Sequence, residues 1–312
     1  MARRTSRGYR VFLSVCVGII LVTCIGVLLT VLFIREPAVR MAAATSGGST
    51  MPPAIEPTTE AGRRDNFFTL LIAGTDSDGS RTDTILLTAM DTAAGTVSIM
   101  SIPRDTRAYM ANGNVHKINA AHNKGIDRML TEIAATVGFI PDRYCIIDYN
   151  VFKTVVNALG GVTVDVPQDM DYSDPTQNLE IHLKAGEQLL DGERALWFMR
   201  YRSGYRDADL GRIRAQQTLL KSLAKKAMGL QSLKLLPKLP AILSEVETDL
   251  TAGEMIWLAI KVLSFSAENV TMEILPGEVV GADYGADESK VLAVVNARYN
   301  PYTEPIGKLN IP

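Results

Sequence analysis

The stretch from Met199 to Gln217 reads MRYRSGYRDADLGRIRAQQ and carries a high density of positive charge. Its arginines are Arg200, Arg202, Arg206, Arg212 and Arg214. The chain as a whole has a formal net charge of −2, so this density is local. Arginine has a planar guanidinium group that can bind two phosphate oxygens at once. We therefore expect the chain to build a pocket here for an anionic, phosphorylated ligand.

Two spacings predict how the backbone presents these arginines. Arg200 and Arg202 are two positions apart, so they point to one face if the backbone is extended. Apolar residues then recur at helical spacing, at Leu210, Ile213, Leu220, Ala224 and Ala227. A neighbouring face of the same helix carries Asp209, Arg212 and Gln216. The alternative is a solvated surface helix with salt bridges, which has the same charge pattern.

Composition limits the class of protein. A chain of 312 residues, 47% hydrophobic, can form one large domain or two small ones around a sizeable core. The three cysteines and three histidines show neither a disulfide framework nor metal-ligand spacing. Beyond the first ten residues, which hold four arginines, 28 basic residues face 34 acidic ones. This balance argues against general nucleic-acid binding.

The N-terminal region predicts a membrane anchor. Residues 1–10 form a basic tail, and residues 11–34 are uncharged over about 36 Å of helix, enough to span a bilayer. The arginines place the tail in the cytoplasm and everything after Ile34 outside, as a single-pass protein of the cell membrane. A cleaved signal peptide is the alternative, but the apolar run is long for one. Residues 35–65 are rich in Pro, Ala, Ser and Thr and predict a flexible extracytoplasmic linker before a domain at 66–312.

Periodicity predicts an α/β or α+β domain with a central mixed sheet flanked by helices. Strands are expected at 68–73, 84–90, 96–102, 144–149, 162–166 and 270–275. Helices are expected at 119–137, 151–159, 192–198 with Asp191 as N-cap, the arginine stretch to about 228, 235–246 and 252–265.

Charged residues interrupt apolar elements at four places and suggest a phosphate site. They are Asp76, Arg81 and Asp83 between two strands, Arg104 and Asp105 after a strand, Lys117 before a helix, and the arginine stretch. Two carboxylates at a strand end suit Mg²⁺, or Mn²⁺, and the surrounding cations would clamp a diphosphate. Taken singly, Asp76 is equally explained as a turn residue, and Arg104 with Asp105 as an internal ion pair. No Walker loop, nucleophile elbow or zinc-protease motif is present in the sequence.

The order of these motifs resembles the LytR-CpsA-Psr family. The matching segments are Thr75-Asp76, Arg81-Thr-Asp83-Thr, Ser101-Ile-Pro-Arg-Asp-Thr106, Lys117-Ile-Asn-Ala-Ala121, Leu159-Gly-Gly-Val-Thr-Val164, Leu190-Asp-Gly-Glu-Arg-Ala-Leu196, Arg200-Tyr-Arg202, Asp209-x-x-Arg212 and Gln216-Gln217. They cover roughly residues 66–230. The resemblance implies a ligase that moves a teichoic acid, capsule or related glycopolymer from a polyprenyl diphosphate lipid to a peptidoglycan sugar hydroxyl, forming a phosphodiester with the help of Mg²⁺.

The resemblance also implies residue roles. The metal ligands would be Asp76 and Asp83. The diphosphate would be bound by Arg81, Arg104, Lys117, Arg200, Arg202, Asp209, Arg212 and Gln216. The catalytic set would be Asp83, Arg104, Asp105, Arg200, Arg202 and Arg212. The sequence marks no residue as the general base, and a carboxylate near the metal, Asp83 or Asp105, is the hypothesis. The candidates for an apolar prenyl groove are Ile126, Met129, Leu130, Ile133, Phe152, Val155, Val156 and Leu159. The roles of Arg206, Arg214 and residues 231–312 stay open.

Two other functions fit the same residues. A non-catalytic scaffold or sensor in the membrane could use the arginines to hold polyprenyl phosphates. A transcription regulator, an older description of the family, is opposed by the predicted topology, which leaves only about ten residues in the cytoplasm.

Overall fold

The computed structural model describes residues 33–39, 62–75, 79, 81–110, 112–177, 179–205, 208–227, 241–242 and 244–312. The predicted tail, most of the predicted span at 11–34, Asp76, Arg206 and most of the predicted helix at 235–246 lie outside these ranges. Among the described residues, no helix has both the length and the apolar character needed to cross a membrane.

The chain alternates short strands with six helices over the described ranges. The strands are β1 (Phe67–Thr75), β2 (Thr82–Asp91), β3 (Thr96–Ser101), β4 (Arg107–Tyr109), β5 (Val115–Lys117), β6 (Arg143–Ile147), β7 (Val162–Val166), β8 (Met170–Asp174), β9 (Leu179–Leu183), β10 (Gly186–Leu190), β11 (Glu247–Thr248), β12 (Val270–Ile274), β13 (Gly277–Val280) and β14 (Asp283–Ala286). The helices are α1 (Ile126–Val137), α2 (Tyr149–Ala158), α3 (Gly192–Arg200), α4 (Ala208–Ala227), α5 (Ala252–Ser264) and α6 (Glu288–Arg298).

The central sheet is mixed, as the sequence predicts. Its strand order is β11-β6-β1-β2-β3-β12. Strands β1, β2 and β3 are antiparallel neighbours, whereas β6 runs parallel to β1 and β12 runs parallel to β3. The end of β1, the start of β2, the end of β3 and the end of β6 therefore meet at one edge of the sheet. Polar residues that follow or begin these strands are brought together there.

Strand β1 is buried on both sides because two different layers cover the sheet. Its side chains alternate between the faces. Phe67 and Leu71 belong to a core that also contains residues of α1 and α6. Phe68 packs on the opposite face with Leu258 of α5. A second core lies beside the sheet and joins strands β7 to β10 with α3 and α4.

The structure corrects several sequence-based bounds. The helix expected from 119 begins as two 3₁₀ turns, and α1 starts only at Ile126 because Gly125 adopts a φ of 94° that interrupts the helix. The hairpins β8–β9 and β13–β14 and helix α6 have no counterpart in the prediction. Residues 62–65, assigned to the linker, pair with the C-terminal segment: Arg64 N–H donates to the Pro301 carbonyl at 2.9 Å.

Candidate functional site

The site is built around Asp83, at the edge where the ends of the strands meet. Asp83 lies near the start of β2, and Arg104 follows the end of the antiparallel strand β3. The Arg104 guanidinium donates from Nη1 to Asp83 Oδ1 at 2.6 Å. Tyr149, at the first position of α2, donates its hydroxyl to the other carboxylate oxygen at 3.1 Å. Three separate segments thus converge on one carboxylate.

The charge state of Asp83 follows from these neighbours. Burial disfavours the ionised carboxylate. The hydrogen bond and charge of Arg104, with the charges of Arg212 and Arg202, outweigh that effect and hold the pKa of Asp83 below its usual value. Asp83 therefore stays ionised at neutral pH. A carboxylate with this low basicity is better suited to organising cations than to accepting a proton.

Arg200 and Arg202 are placed by the end of α3. Asp191 caps this helix, accepting a hydrogen bond from Arg194 N–H, as predicted. The helix ends at Arg200, and Tyr201 then adopts an extended conformation with ψ of 130°. Both arginines reach the same pocket, where the Arg200 guanidinium lies 5.0 Å from the centre of the Tyr149 ring. The Arg202 guanidinium lies 3.5 Å from Asp83 Oδ1.

Helix α4 is not a solvated surface helix where it carries Arg212. The Arg212 side chain is only 2% exposed, and Gln216 one turn later is 6% exposed. The loop before the helix closes tightly on it, because a Cβ added at Gly211 would lie 2.5 Å from Tyr205 Cβ. Arg214, in contrast, is exposed. Burial of Arg212 decides between the two sequence interpretations in favour of a pocket.

These residues form the polar end of a largely apolar cavity, which we call the apolar pocket. Its walls and polar end are lined by Ile72, Ala73, Gly74, Asp83, Thr84, Leu86, Ile147, Asp148, Tyr149, Phe152, Tyr172, Leu179, Leu196, Met199, Arg200, Arg202, Ser203, Arg212, Gln216 and Leu220. The cavity volume is about 190 Å³, and the pocket is partly open to solvent. It is suited to a molecule with an apolar body and an anionic head.

A second cavity, the polar pocket, lies on the other side of the Asp83–Arg104 pair. It is lined by Arg81, Arg104, Asp105, Lys117, Asn119 and Ala120. Lys117 Nζ donates to Asp105 Oδ1 at 2.9 Å and to the Ala282 carbonyl at 2.7 Å. On the same strand, His116 Nε2 lies 2.8 Å from Oε2 of the buried Glu132, so β5 is held from its other side as well.

The predicted site residues therefore divide between two pockets. Arg200, Arg202, Arg212 and Gln216 line the apolar pocket with Asp83, while the remaining cations line the polar one. Asp76 lies outside the described residues, and of Asp209 only its position near the start of α4 is described.

The predicted prenyl groove is wrong for most of its residues. Of that set, only Phe152 lines the apolar pocket. Met129, Leu130 and Ile133 are buried in the core against the sheet, and Val156 is buried in the second core. Leu159 is buried as well. A helical apolar stripe indicates a buried face but does not distinguish a core from a ligand pocket.

Two site residues were missed by sequence reasoning. Tyr149 was assigned to the end of a strand, although Asp148 before it is an N-cap residue type that predicts a helix start there. Asp283 comes from the C-terminal region, which carries no recognised motif. Its carboxylate lies 3.6 Å from Lys117 Nζ and 3.3 Å from Arg107 Nε. No local pattern marks a contact between such distant segments.

A mixed sheet whose edge holds arginines beside an apolar pocket is suited to an amphiphilic phosphorylated ligand. The sequence model described as the LytR_cpsA_psr family matches residues 29–301, and the chain belongs to that family. This confirms the resemblance seen in the motifs.

The chain is similar to several named proteins and solved structures. It is 34% identical over 198 residues to the polyisoprenyl-teichoic acid–peptidoglycan teichoic acid transferase TagV of Bacillus subtilis (strain 168), covering 60% of this chain and 51% of the relative. It is 29% identical over 187 residues to the regulatory protein MsrR of Staphylococcus aureus (strain Mu50), covering 58% and 55%. The chain thus spans about half the length of the curated relatives it matches. The crystal structure of B. subtilis TagV superposes with a TM-score of 0.63 at 27% identity, covering 74% of this chain and 95% of that one.

Proposed function

We propose that this protein is a phosphotransferase that attaches an anionic cell-wall glycopolymer, such as a teichoic acid or capsule polymer, to peptidoglycan. The donor would be the polymer on a polyprenyl diphosphate lipid, and the acceptor a peptidoglycan sugar hydroxyl. The observation that carries the proposal is the apolar pocket that ends in Arg200, Arg202 and Arg212. The similarity to a relative named as a teichoic acid transferase supports it.

The donor would be held at both ends of the apolar pocket. The prenyl chain would lie among side chains such as Leu86, Phe152 and Leu196, gaining about 0.8 kcal/mol for each buried methylene. The diphosphate would lie on the guanidinium groups, which bind phosphate oxygens through charge-assisted hydrogen bonds. This placement puts the reacting phosphorus close to Asp83 and Arg104, between the two pockets.

The transfer exchanges one phosphorus–oxygen bond for another. The acceptor hydroxyl oxygen attacks the phosphorus that carries the polymer, and the bond from that phosphorus to the bridging oxygen breaks. Prenyl phosphate leaves with the bonding electron pair, its added charge stabilised by the arginines. The hydroxyl proton passes to a base. Asp105 in the polar pocket is the better candidate, since the low pKa of Asp83 makes it a weak base.

The residues present fit a divalent cation whose remaining ligands would be phosphate oxygens of the substrate. Asp83 is ionised and stands beside the proposed diphosphate position. The described residues contain no group of three or more His, Cys, Asp or Glu side chains able to hold a metal. Mg²⁺ commonly takes one or two carboxylates and substrate phosphate oxygens, so Asp83, with Asp76 as predicted, would hold Mg²⁺ or Mn²⁺. When bound, the ion would neutralise charge that develops on the phosphate oxygens.

We also propose that residues 11–34 anchor the protein in the cell membrane with residues 1–10 in the cytoplasm. The uncharged run of 24 residues and the four preceding arginines support this orientation. The domain would then face the compartment that contains peptidoglycan.

The decisive experiment uses the full chain in detergent with a synthetic polyprenyl-diphosphate glycan, peptidoglycan fragments and Mg²⁺. The expected result is release of prenyl phosphate and a glycan joined to the acceptor through phosphate. The Arg200→Ala/Arg202→Ala variant should lose both products, and EDTA should suppress them in the wild type. A wild type that binds the donor tightly and yields no product, with binding unchanged by EDTA, would contradict the enzyme.

That outcome would favour the second candidate, a membrane scaffold or sensor that retains polyprenyl phosphates. The name of one relative, a regulatory protein, is the observation that favours this candidate.

A further inference from the structure

The end of the predicted membrane span and the residues that follow it contact helix α5. A Cβ added at Gly253 would collide with the carbonyl oxygen of Phe33, so the two backbones are in direct contact. Ala38 N–H donates to the carboxylate of Glu254 in the first turn of the same helix. Pro37, between them, is buried. The junction between the span and the domain is therefore attached to the N-terminal turn of α5.

This attachment fixes where α5 lies if residues 11–34 cross the bilayer. The span would end at Ile34, and Phe33 already touches Gly253. The first turn of α5 then stands at the outer surface of the membrane, with no spacer that could hold it away.

Helix α5 has one face in the protein and one face outside it. Leu258 is buried against Phe68 and Val97 of the sheet. On the opposite side, Ile256 is half-buried and Ile260, one turn later, is 47% exposed. Gly253, Ile256 and Ile260 follow one another at helical spacing on one face. Phe33, seated at Gly253, is itself 55% exposed, which extends the apolar surface. We call this surface the α5 face.

The few charges on α5 favour contact of its outer face with lipid over contact with water. Its one acidic residue, Glu254, is buried, and its one basic residue, Lys261, lies 5.1 Å over the ring of Trp257. The Trp257 ring packs partly on the core beneath α5, and Lys261 above it can extend its ammonium group toward lipid phosphates. An exposed apolar face with this rim is the pattern of helices that lie in the bilayer surface.

Helix α5 also covers the face of the sheet that carries the apolar pocket. Side chains at every second position of β1 share one face of the sheet. Phe68 and Leu70 on that face pack with residues of α5, whereas Ile72 and Gly74 on the same face line the apolar pocket. Ile72 lies four positions after Phe68 on the strand, which is about 13 Å at ~3.3 Å per residue. The pocket therefore begins where the cover of α5 ends.

We propose that the α5 face is seated in the outer leaflet of the bilayer, so that the apolar pocket opens beside the lipid that carries its substrate. The proposal rests on the anchor and the lipid donor of the proposed function, and it adds the surface through which the domain meets the membrane. The carrier would then enter the pocket with its prenyl chain shielded from water throughout.

The test uses the full chain in vesicles of phosphatidylcholine and phosphatidylglycerol, with or without bromine on the acyl chains near the headgroups. Both native tryptophans, Trp197 and Trp257, are replaced by Phe, and Ile260→Trp is introduced as the reporter. We expect brominated vesicles to quench its fluorescence about twofold or more. The control is Leu189→Trp in the same background, because Leu189 is a comparably exposed apolar residue, at 58%, on β10, which packs with β7 on the second core and not beneath α5. It should not be quenched.

The outcomes separate the proposals. If the chain floats with the vesicles but Ile260→Trp is unquenched, or if both reporters are quenched equally, the seated α5 face is wrong while the anchor stands. If the chain does not float, the anchor is wrong and this inference falls with it. In the reporter background, Gly253→Ala should reduce quenching, since it leaves no room for the Phe33 carbonyl yet favours the helix.

A functional comparison adds a second readout. Ile256→Glu/Ile260→Glu should lower transfer about tenfold with a long-chain donor embedded in vesicles and leave it unchanged with a short, water-soluble prenyl donor. If the variant keeps wild-type activity with both donors, or loses the same fraction with both, the seated α5 face is wrong and the ligase stands. If the ligase itself is wrong, the wild type will not react with the short donor either.

Discussion

The apolar and polar pockets share one ion pair and differ in almost everything else. The apolar pocket carries a fully buried arginine and is walled mainly by hydrocarbon. The polar pocket is lined almost wholly by polar and charged side chains. Asp83 and Arg104, joined at 2.6 Å, stand between them. Two cavities of opposite character on either side of one charged pair suit a reaction between an amphiphilic donor and a hydrophilic acceptor.

The two pockets also come from different parts of the chain. The apolar pocket is built by residues of the motif-bearing region, from β1 to α4. The polar pocket is closed by the hairpin β13–β14, which brings Ala282 and Asp283 to Lys117. The division predicts that variants of the first pocket change donor binding and variants of the second change acceptor use.

Asp83→Asn should have the largest effect, because Asp83 lines the apolar pocket and accepts a hydrogen bond from Arg104, which lines the polar one. The variant loses the charge opposite Arg104 and the proposed metal ligand together. We expect transfer to fall by roughly 10²–10³, as when a single group that stabilises the transition state is deleted. Single-turnover release of prenyl phosphate measures it.

The matched control is Asp165→Asn, an exposed aspartate on β7. A variant at Asp83 that retains full activity, with circular dichroism showing an intact fold, would remove this residue from the shared centre.

Arg212→Met should weaken donor binding about 10- to 100-fold and leave the acceptor KM unchanged. Arg212 is buried in the apolar pocket, where charge-assisted hydrogen bonds contribute about 1.5–3 kcal/mol each. Equilibrium binding of a fluorescent polyprenyl phosphate measures the loss. Arg214→Met, two positions away on the exposed side of α4, should bind as the wild type does. Equal losses in both variants would indicate general electrostatic attraction instead of a pocket contact.

Asp283→Asn should raise the acceptor KM about two- to fivefold without changing donor affinity. The carboxylate lies near Lys117 and Arg107 and is 30% exposed, and ion pairs at such sites contribute ~0.2–1 kcal/mol. Initial rates at varied acceptor and saturating donor measure the change, with Glu278→Gln on the exposed strand β13 as control. A change in donor affinity instead would join the two pockets into one functional unit.

Local patterns predicted the elements of the sheet well and the destinations of the helices poorly. Strands β1, β2, β3, β7 and β12 lie close to their expected positions, because alternating or continuous apolar runs between turns are local signals. The stripes of α1 and α4 look alike in sequence. Yet Ile133 is in the core and Leu220 lines a pocket, since periodicity marks a buried face without naming what packs on it.

The candidate site was predictable to the extent that its residues follow strand ends. Arg104 after β3 and Asp83 at the start of β2 meet because antiparallel neighbours bring those ends to one edge. Asp283 was not predictable in this way. Its partner Arg107 is 176 positions away, and the contact depends on how the C-terminal hairpin packs on β4. Contacts between such distant residues are seen only once the structure is known.

The smallest expected effect concerns pH and tests whether the ion pair contributes to folding. The pKa of Asp83 is lower in the folded protein than its usual value of 3.8, so the ionised carboxylate stabilises the fold. That stabilisation is fully present above the unfolded pKa and is lost as the pH falls through the lower, folded pKa. The Tm difference between the wild type and Asp83→Asn should therefore be constant from pH 7 to about pH 5 and shrink below pH 3.8. Thermal melts across that range measure it. A difference that grows as the pH falls would mean that burial outweighs the arginines and raises the pKa of Asp83 above its usual value. The ionised form of Asp83 would then be a stronger base, and Asp105 would lose its claim to the role of proton acceptor.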